Sequence, residues 1–105
     1  MATKKLPPIH PGEILLEEYL KPAGLSMNQL AGALGVDAGR ITQICNGKRS
    51  ITGETALRLA RYWDTTAEYW LGMQMDYDLE VARDRFDQVV AKQVAVRPRD
   101  ETSVA

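Results

Sequence analysis

Few side chains in this 105-residue chain are suited to chemistry, and their types exclude most of it. His10 is the single histidine and stands directly before Pro11, a place that reads as a helix cap rather than a general base. Cys45 is the single cysteine, so no internal disulfide can form. It has no ligand-type neighbours at metal spacing, and no zinc site is expected. Asp76, Asp78 and Glu80 alternate as in a calcium loop, but the turn glycine and the closing glutamate are missing. No glycine-rich phosphate loop occurs. Neither an enzyme nor a cofactor is expected. What remains is hydrogen bonding and charge. Arg40, Thr42 and Gln43 stand close together, and a basic turn, Asn46-Gly47-Lys48-Arg49, comes directly after them.

Those residues need elements to position them, and proline and glycine divide the chain clearly. Pro11 suits the first position of a helix, which then carries Ile14, Leu15, Tyr19 and Leu20 at helical spacing and is stopped by Pro22 and Gly24. Ser26 and Gln29 read as a capping box opening a second helix, with Leu30, Ala31 and Leu34 inward and Gly35 at its end. Asp37 is the predicted cap of a third helix, in which Ile41, Ile44 and Cys45 face inward before Asn46-Gly47 closes it. Thr52 caps a fourth, burying Ala56, Leu57, Leu59, Ala60 and Trp63. Thr65 and Glu68 suggest a second capping box for a fifth helix, which either runs on through Phe86 or breaks near Asp76-Tyr77-Asp78. Past about Lys92 the pattern fades. Val94 and Val96 alternate as a short strand would, and residues 93–105 read as a weakly ordered tail. The reading is all-α, with five helices in one domain over residues 1–92.

The second and third helices are short and joined by three residues, Gly35, Val36 and Asp37. So tight a connection forces a steep crossing, the geometry of a helix-turn-helix over residues 26–46. Its steric demands are met together. Ala31 is small where the helices cross, and Gly35, four residues on, tolerates positive φ in the turn. Ile41 is a branched anchor, and Leu30, Leu34, Val36 and Ile44 complete an apolar interior.

Residues 25–47 resemble the Cro/C1-type (lambda repressor-like) helix-turn-helix of phage repressors and bacterial regulators. The flanking segments Ile9-His10-Pro11-Gly12-Glu13-Ile14-Leu15, Asn46-Gly47-Lys48-Arg49-Ser50-Ile51-Thr52, Thr55-Ala56-Leu57-Arg58-Leu59-Ala60 and Trp70-Leu71 widen the likeness. Together they resemble the HigA antitoxins of type II toxin–antitoxin modules over residues 7–83. The resemblance implies a third helix that enters the major groove of operator DNA, with Ala38, Gly39, Thr42 and Gln43 facing base edges. Gln43 suits adenine, which it can pair bidentately, and Arg40 suits guanine or a phosphate. Ser26, Gln29, Asn46, Lys48 and Arg49 are the candidate phosphate contacts. The resemblance also implies a HigB-like toxin partner, an mRNA-cleaving enzyme dependent on the ribosome and typically basic. A stand-alone repressor without a toxin and a protein-interaction adaptor with a vestigial motif are the alternatives.

The overall charge is −1 and the isoelectric point 5.8, which excludes a uniformly basic coat for nucleic acid. The charge is unevenly placed. Residues 26–63 hold five cations against two anions, whereas residues 64–87 hold two against seven. The first excess suits DNA, and the second suits a basic protein. The surplus of aromatic and methionine residues in the last two helices points to a homodimer through the fifth helix and the residues after it, with Trp70, Met73 and Tyr77 as candidate interface residues. No apolar run nears the roughly 18 residues of a membrane span, and the first residues lack the apolar stretch of a signal peptide. The expected location is the cytoplasm.

Overall fold

The computed structural model describes residues 6–99. Among these residues the chain forms five helices and no strand. The first, α1, is continuous over residues 11–23. His10 caps it, its Nδ1 accepting the Gly12 N–H at 2.9 Å, and Pro11 sits in the first turn as predicted. The helix does not stop at Pro22. Its middle, Leu15–Leu20, is wound as a π-helix, and Lys21 donates its N–H five residues back to Leu16. A proline in a helix lacks an N–H and crowds the carbonyl four residues before it. The wider turn directly precedes Pro22, and one more turn, Lys21–Ala23, comes before Gly24 ends the helix at φ 66°.

Helix α2, Met27–Leu34, begins at the predicted capping box: Gln29 N–H donates to Ser26 Oγ at 3.0 Å, and Ser26 N–H to Gln29 Oε1 at 2.9 Å. Helix α3 spans Ala38–Cys45. Asp37 is its N-cap residue, yet its side chain makes no capping hydrogen bond. Helix α4, Gly53–Trp63, is capped by Thr52 as predicted and ends at Asp64, whose φ of 55° is the one positive value outside glycine among the described residues.

Helix α5 runs unbroken over Ala67–Gln93, about 40 Å at ~1.5 Å per residue. Its cap lies one residue later than predicted. Thr66, not Thr65, accepts the N–H of Tyr69. Thr65 is occupied elsewhere: its hydroxyl accepts the indole N–H of Trp70 at 2.8 Å. Residues 94–99 form neither helix nor strand, so the alternation of Val94 and Val96 does not make one. The rest of the predicted tail, residues 100–105, lies outside the described residues.

One core joins all five helices. Leu15 and Leu20 of α1, Leu30, Ala31 and Leu34 of α2, Ile41, Ile44 and Cys45 of α3, Ala56 and Leu59 of α4, and Trp70 of α5 are buried together. Leu57 is not among them. It is 66% exposed, because the buried face of α4 is defined by Thr55, Ala56 and Leu59. Trp70 is wholly inaccessible, so it is a core residue and offers no surface for a dimer interface. Met73 and Tyr77 are half-buried.

Candidate nucleic-acid interface

The α2–α3 pair has the predicted crossing. Gly35 takes φ 72°, and the chain turns through Val36, whose N–H reaches back to the Ala31 carbonyl at 3.0 Å. Ala31, Ile41 and Ile44 sink into the core, which leaves Ala38, Gly39, Thr42 and Gln43 exposed on the outer face of α3. Thr42 is exposed and donates its hydroxyl to the Ala38 carbonyl one turn back at 3.1 Å, so its oxygen is free only to accept. Asn46, Lys48 and Arg49 are exposed in the turn after α3. The structure brings two of the predicted residues together: Arg49 Nη1 donates to Gln43 Oε1 at 3.4 Å. At the start of α2, the capping box uses the N–H groups of Ser26 and Gln29, so the N–H groups of Met27 and Asn28 are the ones this end offers an anion.

Arg40 stands apart from this face. It is half-buried and turns toward α4, with Nη1 3.3 Å from Glu54 Oε1 and 3.4 Å from Thr55 Oγ1. Glu54 also accepts from Arg58 at 3.0 and 3.2 Å. The Arg58 hydrogen bonds, together with the Arg40 charge, hold the Glu54 carboxyl below the usual carboxylate range. Arg58 then donates to the Leu34 carbonyl at 2.8 Å. The three residues link the end of α2, the face of α3 and the start of α4.

Two further supports escaped the sequence reading. Gly12 lies where α1 meets the end of α3, and a Cβ there would collide with the backbone carbonyl of Ile44. Gln74 is buried on α5. Its Oε1 accepts the Ile51 N–H at 2.8 Å, and its Nε2 donates to Asp78 at 2.9 Å, which anchors the loop after the basic turn. Neither leaves a sequence signal beyond a glycine in a first helical turn and a glutamine among apolar residues. His10 is the helix cap predicted for it, and its ring also meets Tyr77 edge-on at 4.8 Å. Burial pushes the Cys45 thiol up to about 11, which keeps it neutral. Among the described residues no group of His, Cys, Asp and Glu is arranged to hold a metal ion.

A steeply crossed pair of short helices, with the second one's polar face bare and a cationic turn at its end, defines a DNA-binding helix-turn-helix protein. A family model described as helix-turn-helix matches residues 16–70. Virulence-associated protein I of Dichelobacter nodosus is 56% identical over 78 residues, covering 74% of this chain and 72% of that protein. The structure of an addiction module antidote protein of the HigA family from Coxiella burnetii superposes with a TM-score of 0.82 at 46% identity, over 88% of this chain and 100% of that one. Pseudomonas aeruginosa antitoxin HigA, solved with the higBA promoter, superposes with a TM-score of 0.83 at 36% identity, over 87% and 99%. The chain belongs to the Cro/C1-type helix-turn-helix family and, within it, to the HigA-type antitoxins. This is a family of DNA-binding regulators, not of enzymes.

Proposed function

We propose that the chain represses its own operon through α3 and neutralises a HigB-like, mRNA-cleaving toxin. The observation that carries the DNA half is the exposed row Ala38, Gly39, Thr42 and Gln43 beside a cationic turn, on a helix braced from behind by α1 and α4. Its similarity to an antitoxin solved with promoter DNA supports the same reading. Ala38 and Gly39 allow α3 to lie close to the base edges, and Thr42 and Gln43 supply the contacts. Arg49 occupies one lone pair of Gln43 Oε1, which orients the amide and turns its Nε2 donors to an acceptor on a base such as adenine N7. Arg49 therefore both approaches the backbone and sets the reader. Lys48, Asn46 and the start of α2 hold phosphates, the latter through the N–H groups of Met27 and Asn28 and the side-chain donors left on Ser26 and Gln29. Arg40 is assigned to bracing α3 rather than to a base.

Two copies on half-sites one helical turn apart would bind a palindrome. The proposed dimer forms through the later part of α5, where Leu79, Ala82, Phe86 and Val90 recur at helical spacing and Leu79, Phe86 and Val90 are exposed. No described helix is long and apolar enough to cross a membrane, and the proposed site of action is the cytoplasm.

The test of the DNA half is titration of operator and random duplexes. Gln43→Ala should lose roughly 1–3 kcal/mol at one base pair and little on random DNA. Lys48→Ala should weaken both alike and flatten the salt dependence by about one phosphate contact, a slope change near 0.9. Equal losses on both duplexes for both variants would overturn the assignment. The toxin half is tested by co-expression with the adjacent open reading frame and pull-down. Absence of a small basic partner would favour the stand-alone repressor.

A further inference from the structure

The acidic excess after residue 63 lies partly on a second feature of the surface. The extended segment before α1 runs beside α5, and between them lies a groove of about 360 Å³. Leu6 and Ile9 of the segment, Ile14 of α1 and Met73 of α5 give it an apolar floor, and Asp76 and Glu80 line its α5 side. Leu6 is 78% and Ile9 53% exposed, a costly placement for two large aliphatic side chains so close together. Asp76 and Glu80 are four residues apart, on one face of α5. Among the described residues neither forms an ion pair, and none of the described residues that line the groove is a cation. An adjoining hollow shares both carboxylates and ends at Leu79 and Arg83.

An apolar floor with a charged rim is the make-up of a protein docking site. The sign of the rim selects the partner. A phosphate backbone is repelled, and so is an acidic peptide. A segment carrying Lys or Arg beside a large apolar side chain is attracted and can bury that side chain against Leu6, Ile9 and Met73. We infer that this groove is the docking site for a basic segment of the neutralised protein. The inference rests on the toxin-binding reading above and gives it a surface. That surface has the opposite charge to the DNA-facing turn, so operator and protein partner do not compete for the same residues.

The test uses the full chain co-expressed with the tagged product of the adjacent open reading frame. Affinity is measured by calorimetry on the separated and recombined proteins. The charge-reversed double variant Asp76→Lys with Glu80→Lys should bind at least tenfold more weakly, with operator affinity and thermal midpoint unchanged. Ile9→Ser should weaken binding independently. The neutral pair Asp76→Asn with Glu80→Gln should bind with less salt dependence than the original chain. If the original chain binds and all three variants bind as tightly, the groove is not the docking site and the antitoxin reading stands. If the original chain itself fails to bind, the antitoxin reading falls, and the docking site with it. A change from dimer to monomer in the double variant would show the groove to be a self-association surface and would also overturn the inference.

Discussion

Gly12 is the position where a single methyl group has the most to disturb. Its Cα faces the Ile44 carbonyl across the α1–α3 contact, and both walls are backbone, which cannot rotate away as a side chain can. Gly12→Ala should destabilise the fold by about 2–3 kcal/mol, the upper range of overpacking. For a domain of this size that lowers Tm by about 4–8 °C per kcal/mol. An unchanged thermal midpoint would show that α1 can shift on α3 at no cost. His10 makes a pH-dependent contribution. Burial lowers its pKa more than the Asp78 charge and a backbone hydrogen bond with Arg49 raise it, so the fold favours neutral imidazole with Nδ1 as acceptor. A histidine whose folded pKa lies below its ordinary 6.5 gives its full stabilisation above that value and loses it as pH falls from there through the folded value. Urea midpoints should therefore fall between pH 7.5 and 5, and His10→Asn, which keeps a cap acceptor without the titration, should flatten the decline. The sequence placed His10 as a cap because a proline stands next to it. It held no sign of the Tyr77 ring or of Asp78, which only the return of α5 brings near.

At the scale of elements, the helix-turn-helix was legible because its demands are local. Small Ala31, left-handed Gly35 and branched Ile41 lie within eleven residues. The cap at Thr66 and the exposure of Leu57 were not legible, since each depends on what packs against the helix. Thr65 is the better-spaced cap by pattern, but Trp70 takes its hydroxyl, and the helix starts one residue later. Gln74 shows the same dependence. Gln74→Leu should leave the buried Ile51 N–H without a partner and cost about 1–3 kcal/mol. It should also loosen the loop between α3 and α4, so faster hydrogen exchange at Ile51 and Thr52 is expected, with α2 unaffected. Uniform protection across the domain would show that water replaces the amide.

For the whole molecule, α5 is the dominant fact. Its first two turns bury Trp70 and Gln74 against the domain, and from Arg83 onward every described residue is exposed. Beyond its own core this helix leaves Leu79, Phe86 and Val90 bare, an apolar face on which the proposed dimer is placed. Phe86→Asp should give a monomer mass by light scattering at micromolar concentration. It should weaken operator binding by roughly 10²-fold or more, because two half-sites are no longer engaged together. A dimer of unchanged mass would remove α5 from the interface.

Composition, glycine placement and helical spacing were enough to determine five helices, the crossed pair and the polar row on α3, because each rests on residues close in the chain. The uneven charge was also visible, and it already separated a DNA-facing part from an acidic one. Tertiary structure decided which predicted residues share a site. It drew Arg49 onto Gln43, turned Arg40 away to Glu54 and sank Trp70 into the core. It also laid the N-terminal segment along α5 to form an apolar groove edged by Asp76 and Glu80. Such pairings join residues up to some seventy positions apart, and what brings them together is the burial of one shared core rather than any pattern along the chain.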